Sequence, residues 1–109
     1  MNLTIRTAAR EDILRQYEWY LTEGGEAVAQ QFLDAAEAAI DLLRRMPDIG
    51  SPREFQNPLL KGLRAWPIPG FPAIRFYYIH RGDTLRVVRI LHGKRDIHSL
   101  LEEDVAEGD

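Results

Sequence analysis

Cysteine is absent from the 109-residue chain, which excludes disulfides, thiolate metal sites and a cysteine nucleophile. That absence is compatible with a reducing cytoplasm, where we expect the protein to act. Long apolar runs are missing too. No stretch approaches the roughly 20 residues that span a bilayer, and Met1-Asn2-Leu3-Thr4-Ile5-Arg6 lacks the basic-then-apolar layout of a signal peptide, so no membrane role is expected. There is no glycine-rich phosphate loop, Ser-His-Asp set or paired-carboxylate arrangement. His80, His92 and His98 have no acid at ligand spacing, so neither a zinc site nor any other metal or cofactor is expected.

What is present is an ordinary globular composition, 45% hydrophobic and 28% charged. The length suits one domain, residues 1–109, since domains cluster at about 100–150 residues. Net charge is −3, but it is unevenly spread. Residues 1–60 carry six basic and ten acidic groups, residues 61–95 carry eight basic groups against Asp83 alone, and residues 96–109 carry six acids and no Lys or Arg. The middle segment should therefore present a cationic surface. The overall acidity argues against a protein that holds nucleic acid mainly through phosphates.

Leu3–Arg6 alternates as a strand. Thr7 can cap the helix that follows, and Glu11 and Asp12 suit its first turn, where the helix dipole favours negative charge. Ala9, Ile13, Tyr17 and Tyr20 or Leu21 recur at helical spacing, and Gly24-Gly25 ends the run. A second helix spans about Glu26 to Arg45, with Val28, Phe32, Ala35 or Ala36, Ala39, Ile40 and Leu43 as its apolar stripe and Pro47 forbidding continuation. So short a link predicts an antiparallel αα-hairpin. Met46 to Gly62 is rich in turn formers and reads as an irregular connection with one helical turn.

Three strands follow: Leu63–Ile68, with Pro67 suiting an edge, Ala73–His80, and Leu85–His92. Arg81-Gly82-Asp83-Thr84 makes the hairpin between the last two. In the last strand Leu85, Val87 and Leu91 fall on one side, and Arg86, Val88, Ile90 and His92 on the other. Ile97 to about Asp104 is a short acidic helix or a tail, with Glu102-Glu103-Asp104 in solvent. The fold class is α+β: an N-terminal strand, then an αα-hairpin packed on a mainly antiparallel sheet that ends in a three-stranded meander (β-α-α-β-β-β). The other face of the sheet would be free for function.

Four local patterns, in this order, resemble the ParE/RelE superfamily of type II toxins over nearly the whole chain. They are Ala9-Arg10-Glu11-Asp12-Ile13 with Tyr17; Ala29 and Phe32 through Leu43, then Pro47-Asp48-Ile49-Gly50; Leu63-Arg64 with Tyr77-Tyr78; and Arg89-Ile90-Leu91-His92-Gly93-Lys94-Arg95-Asp96. The last most resembles the ParE branch. The resemblance implies a toxin neutralised by a cognate, ParD-like antitoxin whose amphipathic tail wraps it. ParE-like members inhibit DNA gyrase, whereas RelE-like members cleave messenger RNA on the ribosome.

A metal-independent RNase must activate a 2′-hydroxyl, stabilise the phosphorane and protonate a leaving oxygen. The resemblance places Arg75 and Arg95 at phosphate-stabilising arginines and Arg64 at a lysine position. Trp66 stands where a second lysine would be, and Leu101 at or near a catalytic tyrosine. The RNase set would then be Arg64, Arg75, His92 and Arg95, with His92 replacing the lost hydroxyl. For Arg75, an internal pairing and a functional role stand as alternatives, and His92 suits a structural hydrogen bond better than catalysis. His80 and His98 should face solvent. Tyr17, Tyr20, Phe32, Phe76 and Tyr78 read as core. Arg64, Trp66, Arg75, Arg89, Lys94 and Arg95 are the expected partner-binding residues, and Trp19, off the main apolar stripe of the first helix, suits a partner contact. The gyrase-inhibitor reading leads, and the ribosome-dependent endoribonuclease is its alternative.

Overall fold

A computed structural model describes residues 1–93 and 97–106. The chain runs β1 (Asn2–Ile5), α1 (Thr7–Arg45), β2 (Ser51–Pro52), a 3-10 turn (Pro58–Leu60), β3 (Arg64–Ile68), β4 (Phe71–Arg81), β5 (Thr84–His92) and α2 (Ile97–Ala106). The strands form one sheet ordered β1-β5-β4-β3-β2. All its pairings are antiparallel except β1 with β5. This is the expected α+β architecture, with β2 as an addition at one edge.

Helical geometry in α1 breaks only at Gly25, whose φ of 87° and ψ of 175° divide it in two. The halves fold back on each other: the Tyr20 and Phe32 rings lie 5.3 Å apart, and Arg44 near the far end donates to the Met1 carbonyl. The expected αα-hairpin therefore closes on a single glycine. That backbone region is essentially closed to residues with a Cβ. Gly25→Ala should destabilise the fold by about 1–3 kcal/mol, read from the denaturation midpoint. A neutral result would mean that the corner relaxes.

Apolar positions of the hairpin fill the first core. Ala9, Phe32, Ala36, Ala39 and Leu43 pack on Ile68, Ile74, Phe76, Tyr78, Leu85, Val87 and Ile90. Phe32 is fully buried, and truncating such a ring costs about 3–5 kcal/mol. The N-cap is Arg6, with no side-chain capping bond. Neither cap nor dipole explains Asp12, which is 5% exposed and turned towards the sheet.

Three expectations fail here. The second face of the sheet is covered: α2 and the 3-10 turn bury Leu60, Leu63, Ala65, Tyr77, Ile79, Val88, Leu91 and Leu101 in a second core. Glu102 is not simply solvated, since its carboxylate accepts from the Gln56 and Asn57 N–H groups at 3.0 and 3.3 Å. The alternation of β5 also breaks. Tyr77 pairs with Arg89 and Tyr78 with Val87, so Val88 is an extra residue at a bulge. A one-residue insertion reverses every later side chain. Leu85, Val87 and Ile90 thus face the hairpin, whereas Val88 and Leu91 face α2.

Candidate functional site

The bulge governs where the candidate residues point. Arg75 pairs with Leu91 and His92 with Ile74, and cross-strand partners share a face. Leu91 lies in the second core and Ile74 in the first, so Arg75 and His92 stand on opposite faces of the sheet. Arg64 pairs with Tyr78 on the hairpin face, at the other end of β4 from His92. The structure does not bring Arg64, Arg75 and His92 together. Lys94 and Arg95 lie outside the described residues.

Each placed arginine has a distinct environment. Arg64 donates through Nη1 to the Asp48 and Gly50 carbonyls at 3.0 and 2.8 Å. Beside it the Tyr78 hydroxyl donates to the Pro47 carbonyl (2.7 Å) and accepts from the Gly50 N–H (2.9 Å). Pro47-Asp48-Ile49-Gly50 is thereby stapled to β3 and β4. Burial pushes the Tyr78 phenol above its ordinary value, partly offset by the Gly50 N–H and the Arg64 charge, while Asp48 adds to the rise.

Arg89 is 8% exposed. Its Nε and Nη2 donate to the two Asp12 oxygens at 2.6 and 2.8 Å. Asp12 also accepts from the Ile90 N–H (3.0 Å) and from Arg15 (3.0 Å). This set joins the hairpin to β5 just past Val87, where β1 ends. Arg6 continues it by donating to the Val88 carbonyl at 3.2 Å. Arg89 is thus a buried structural arginine and is not available as the partner contact expected of it. The signal in the sequence was Asp12 itself, an acid next to apolar Ile13 that a first-turn reading explained too easily.

Arg75 differs from both. It is half-buried and makes no hydrogen bond or ion pair among the described residues. It lines a cleft of about 260 Å³ with Arg53, Glu54, Phe55, Tyr77, Ile97 and His98, in which the Phe55 and His98 rings stack at 4.8 Å. Leu101 is fully buried. Trp66 is half-buried and packs against the first core, with Nε1 buried and without a hydrogen-bond partner among the described residues. Trp19 is 55% exposed. It borders a groove with Arg15, Gln16, Tyr20, Leu91 and His92. His80 reaches the Gly82 carbonyl at 3.0 Å and Asp48 at 3.5 Å instead of pointing into solvent.

The basic segment therefore shows less free charge than its composition implies. Arg64 and Arg89 are committed inside the fold, and Arg81 donates to the Lys61 carbonyl. Among the described residues no group of three His, Cys, Asp or Glu is placed to hold a metal ion. No described helix is long and apolar enough to cross a membrane.

With this geometry in hand, one family model matches most of the chain. The family model described as the ParE toxin of type II toxin-antitoxin system, parDE, matches residues 3–97. Among solved structures, a chain from the "Chromosomal ParDE TA system from P. aeruginosa" is similar in fold. Its TM-score is 0.68 at 18% identity, over 84% of this chain and 95% of that one. A comparison with curated proteins found no match. The family expected from the four local patterns is the one found: this chain belongs to the ParE toxin family of type II toxin–antitoxin systems.

Proposed function

We propose that this toxin acts by binding and not by catalysis, that its target is a DNA gyrase-type topoisomerase, and that a cognate ParD-like antitoxin neutralises it. The observation that best supports the binding reading is the dispersal of the RNase set. Phosphoryl-transfer catalysis needs base, phosphate donors and acid within hydrogen-bond reach of one substrate. Here Arg64 is tied to the 48–50 turn, and Arg75 and His92 occupy opposite faces. Leu101 supplies no hydroxyl and no accessible surface. The Arg75 cleft, continuous in sequence with Lys94 and Arg95, is the surface we assign to the target. Its guanidinium, half-buried at the cleft, suits a carboxylate on a protein partner.

Purified toxin should abolish gyrase supercoiling and leave messenger RNA intact in a translating ribosome assay. Arg75→Glu should relieve the supercoiling block by about tenfold or more. Messenger cleavage lost on His92→Ala would overturn the binding reading in favour of a RelE-like endoribonuclease.

A further inference from the structure

The face of the sheet that carries the Arg75 cleft is basic at its far end too. Arg75, Tyr77, Ile79 and Arg81 alternate onto this one face of β4, with Tyr77 and Ile79 in the second core between the two arginines. Arg86 pairs with Ile79, so it joins them. It stands diagonal to Arg81, whose own partner is Thr84, at about 7–8 Å. Arg81 donates to the Lys61 carbonyl at 3.0 Å, which sets Lys61 beside it. Lys61, Arg81 and Arg86 thus gather at the hairpin end of the face. They lie about 20 Å along β4 from Arg75, at about 3.4 Å per residue. Asp83 is the one acid among residues 61–95, and the Met1 amine lies 4.0 Å from its carboxylate. The exposed acids Asp34, Glu37 and Asp41 belong to α1, which packs on the other face.

We propose that Lys61, Arg81 and Arg86 form a phosphate-binding site for the duplex DNA that the topoisomerase holds. The inference rests on the topoisomerase reading above and adds a second contact to it, on the same face as the first. Proteins meet the DNA backbone through Lys and Arg, and each phosphate they neutralise releases counterions. Lys61 and Arg81 are exposed, and Arg86 is half-buried. The bond to the Lys61 carbonyl occupies one of the five N–H donors of Arg81 and fixes the guanidinium in place. Such fixing lowers the ordering cost of a contact. The arrangement favours DNA over an acidic protein loop. Cations spread over neighbouring strands match a ligand that repeats its charge along a line, whereas a lone carboxylate is met by one guanidinium, as at the Arg75 cleft. Three phosphates are too few to hold DNA unaided, in keeping with the net charge of −3. They supplement the protein contact. The charge on α1 also orients the molecule, since the acidic hairpin turns away from a polyanion as the basic face turns towards it.

The test measures the affinity of the full chain for the topoisomerase, alone and with a linear DNA duplex bound, over a series of salt concentrations. Bound DNA should tighten toxin binding by about tenfold and add about 2–3 to the log–log salt slope. Lys61→Gln/Arg81→Gln should remove most of that gain and about 2 of the added slope, with affinity for the DNA-free enzyme unchanged. Lys61→Gln alone, at an exposed side chain, should remove about 1 of the slope and keeps the test valid if the double variant melts early. Arg75→Glu should weaken binding with and without DNA. Equal wild-type affinity for the two forms of the enzyme overturns the proposal while the topoisomerase reading stands. A loss in Lys61→Gln/Arg81→Gln that is the same with and without the duplex overturns it in favour of an acidic protein contact. Failure of the wild-type chain to bind either form overturns both readings.

Discussion

Asp12→Ala should cost about 3–5 kcal/mol of stability, a large part of what a small domain has. The reason is desolvation. Arg89 is buried, and the Asp12 carboxylate is its counter-ion through two bonds while also accepting from the Ile90 N–H. Removing the acid strands a guanidinium and a backbone donor away from water. The pair itself is not worth that much, because burying both charges carries its own penalty. Replacing both members by apolar residues of similar volume, Asp12→Leu with Arg89→Met, should therefore recover most of the loss. Urea midpoints for the two single variants and the double variant decide it. A loss below about 1 kcal/mol for Asp12→Ala would mean that water reaches the pair.

Gly50→Ala should be comparably damaging, at about 3 kcal/mol, for a steric reason. A Cβ on Gly50 would lie 2.4 Å from the Tyr78 hydroxyl oxygen and 2.8 Å from its ring. The Tyr78 side chain cannot yield without giving up its bonds to Pro47 and Gly50, each worth about 0.5–1.5 kcal/mol. Tyr78→Phe removes the same two bonds, so the double variant should cost less than the sum of the singles. Tyr78 also sets a pH dependence. Its folded-state pKa is raised above the ordinary 10.0, chiefly by burial. The unfolded chain therefore ionises first. The contribution is full below about pH 10 and is lost as pH climbs through the folded value. Tyr78→Phe should flatten the alkaline arm of the stability curve without abolishing it, since burial raises Tyr20 as well. An unchanged alkaline slope would count against Tyr78 as its source.

The local patterns were legible where one physical cause dominates. Helical spacing from Ala9 to Leu43 marks the hairpin, since any amphipathic helix must turn that stripe inwards. Gly25 marks its corner because only glycine takes that backbone geometry. The aromatic run of β4 was legible as a strand, yet only the hairpin layer against it was expected, and α2 with the 3-10 turn supplies the second. Leu100 and Leu101 were hidden in an acidic tail whose charge argued for solvent, and Glu102 anchors it through backbone donors that composition does not reveal. The bulge at Val88 left no mark in the run Leu85–Leu91, and it alone decides that Ile90 joins the first core and Leu91 the second.

Residue order was therefore enough to establish the class of fold and the toxin family, because these follow from spacings along the chain. The candidate site depended on contacts between residues far apart in it. Eight basic groups in residues 61–95 read as a cationic face. Packing spends Arg89 on Asp12 and Arg64 on the 48–50 turn, and gives Arg75 no such partner among the described residues. A charge count sums side chains without regard to their partners. Partners are assigned only when β1 settles beside β5 and the hairpin closes over the first core, since burying a charge forces it to find an opposite one or a carbonyl.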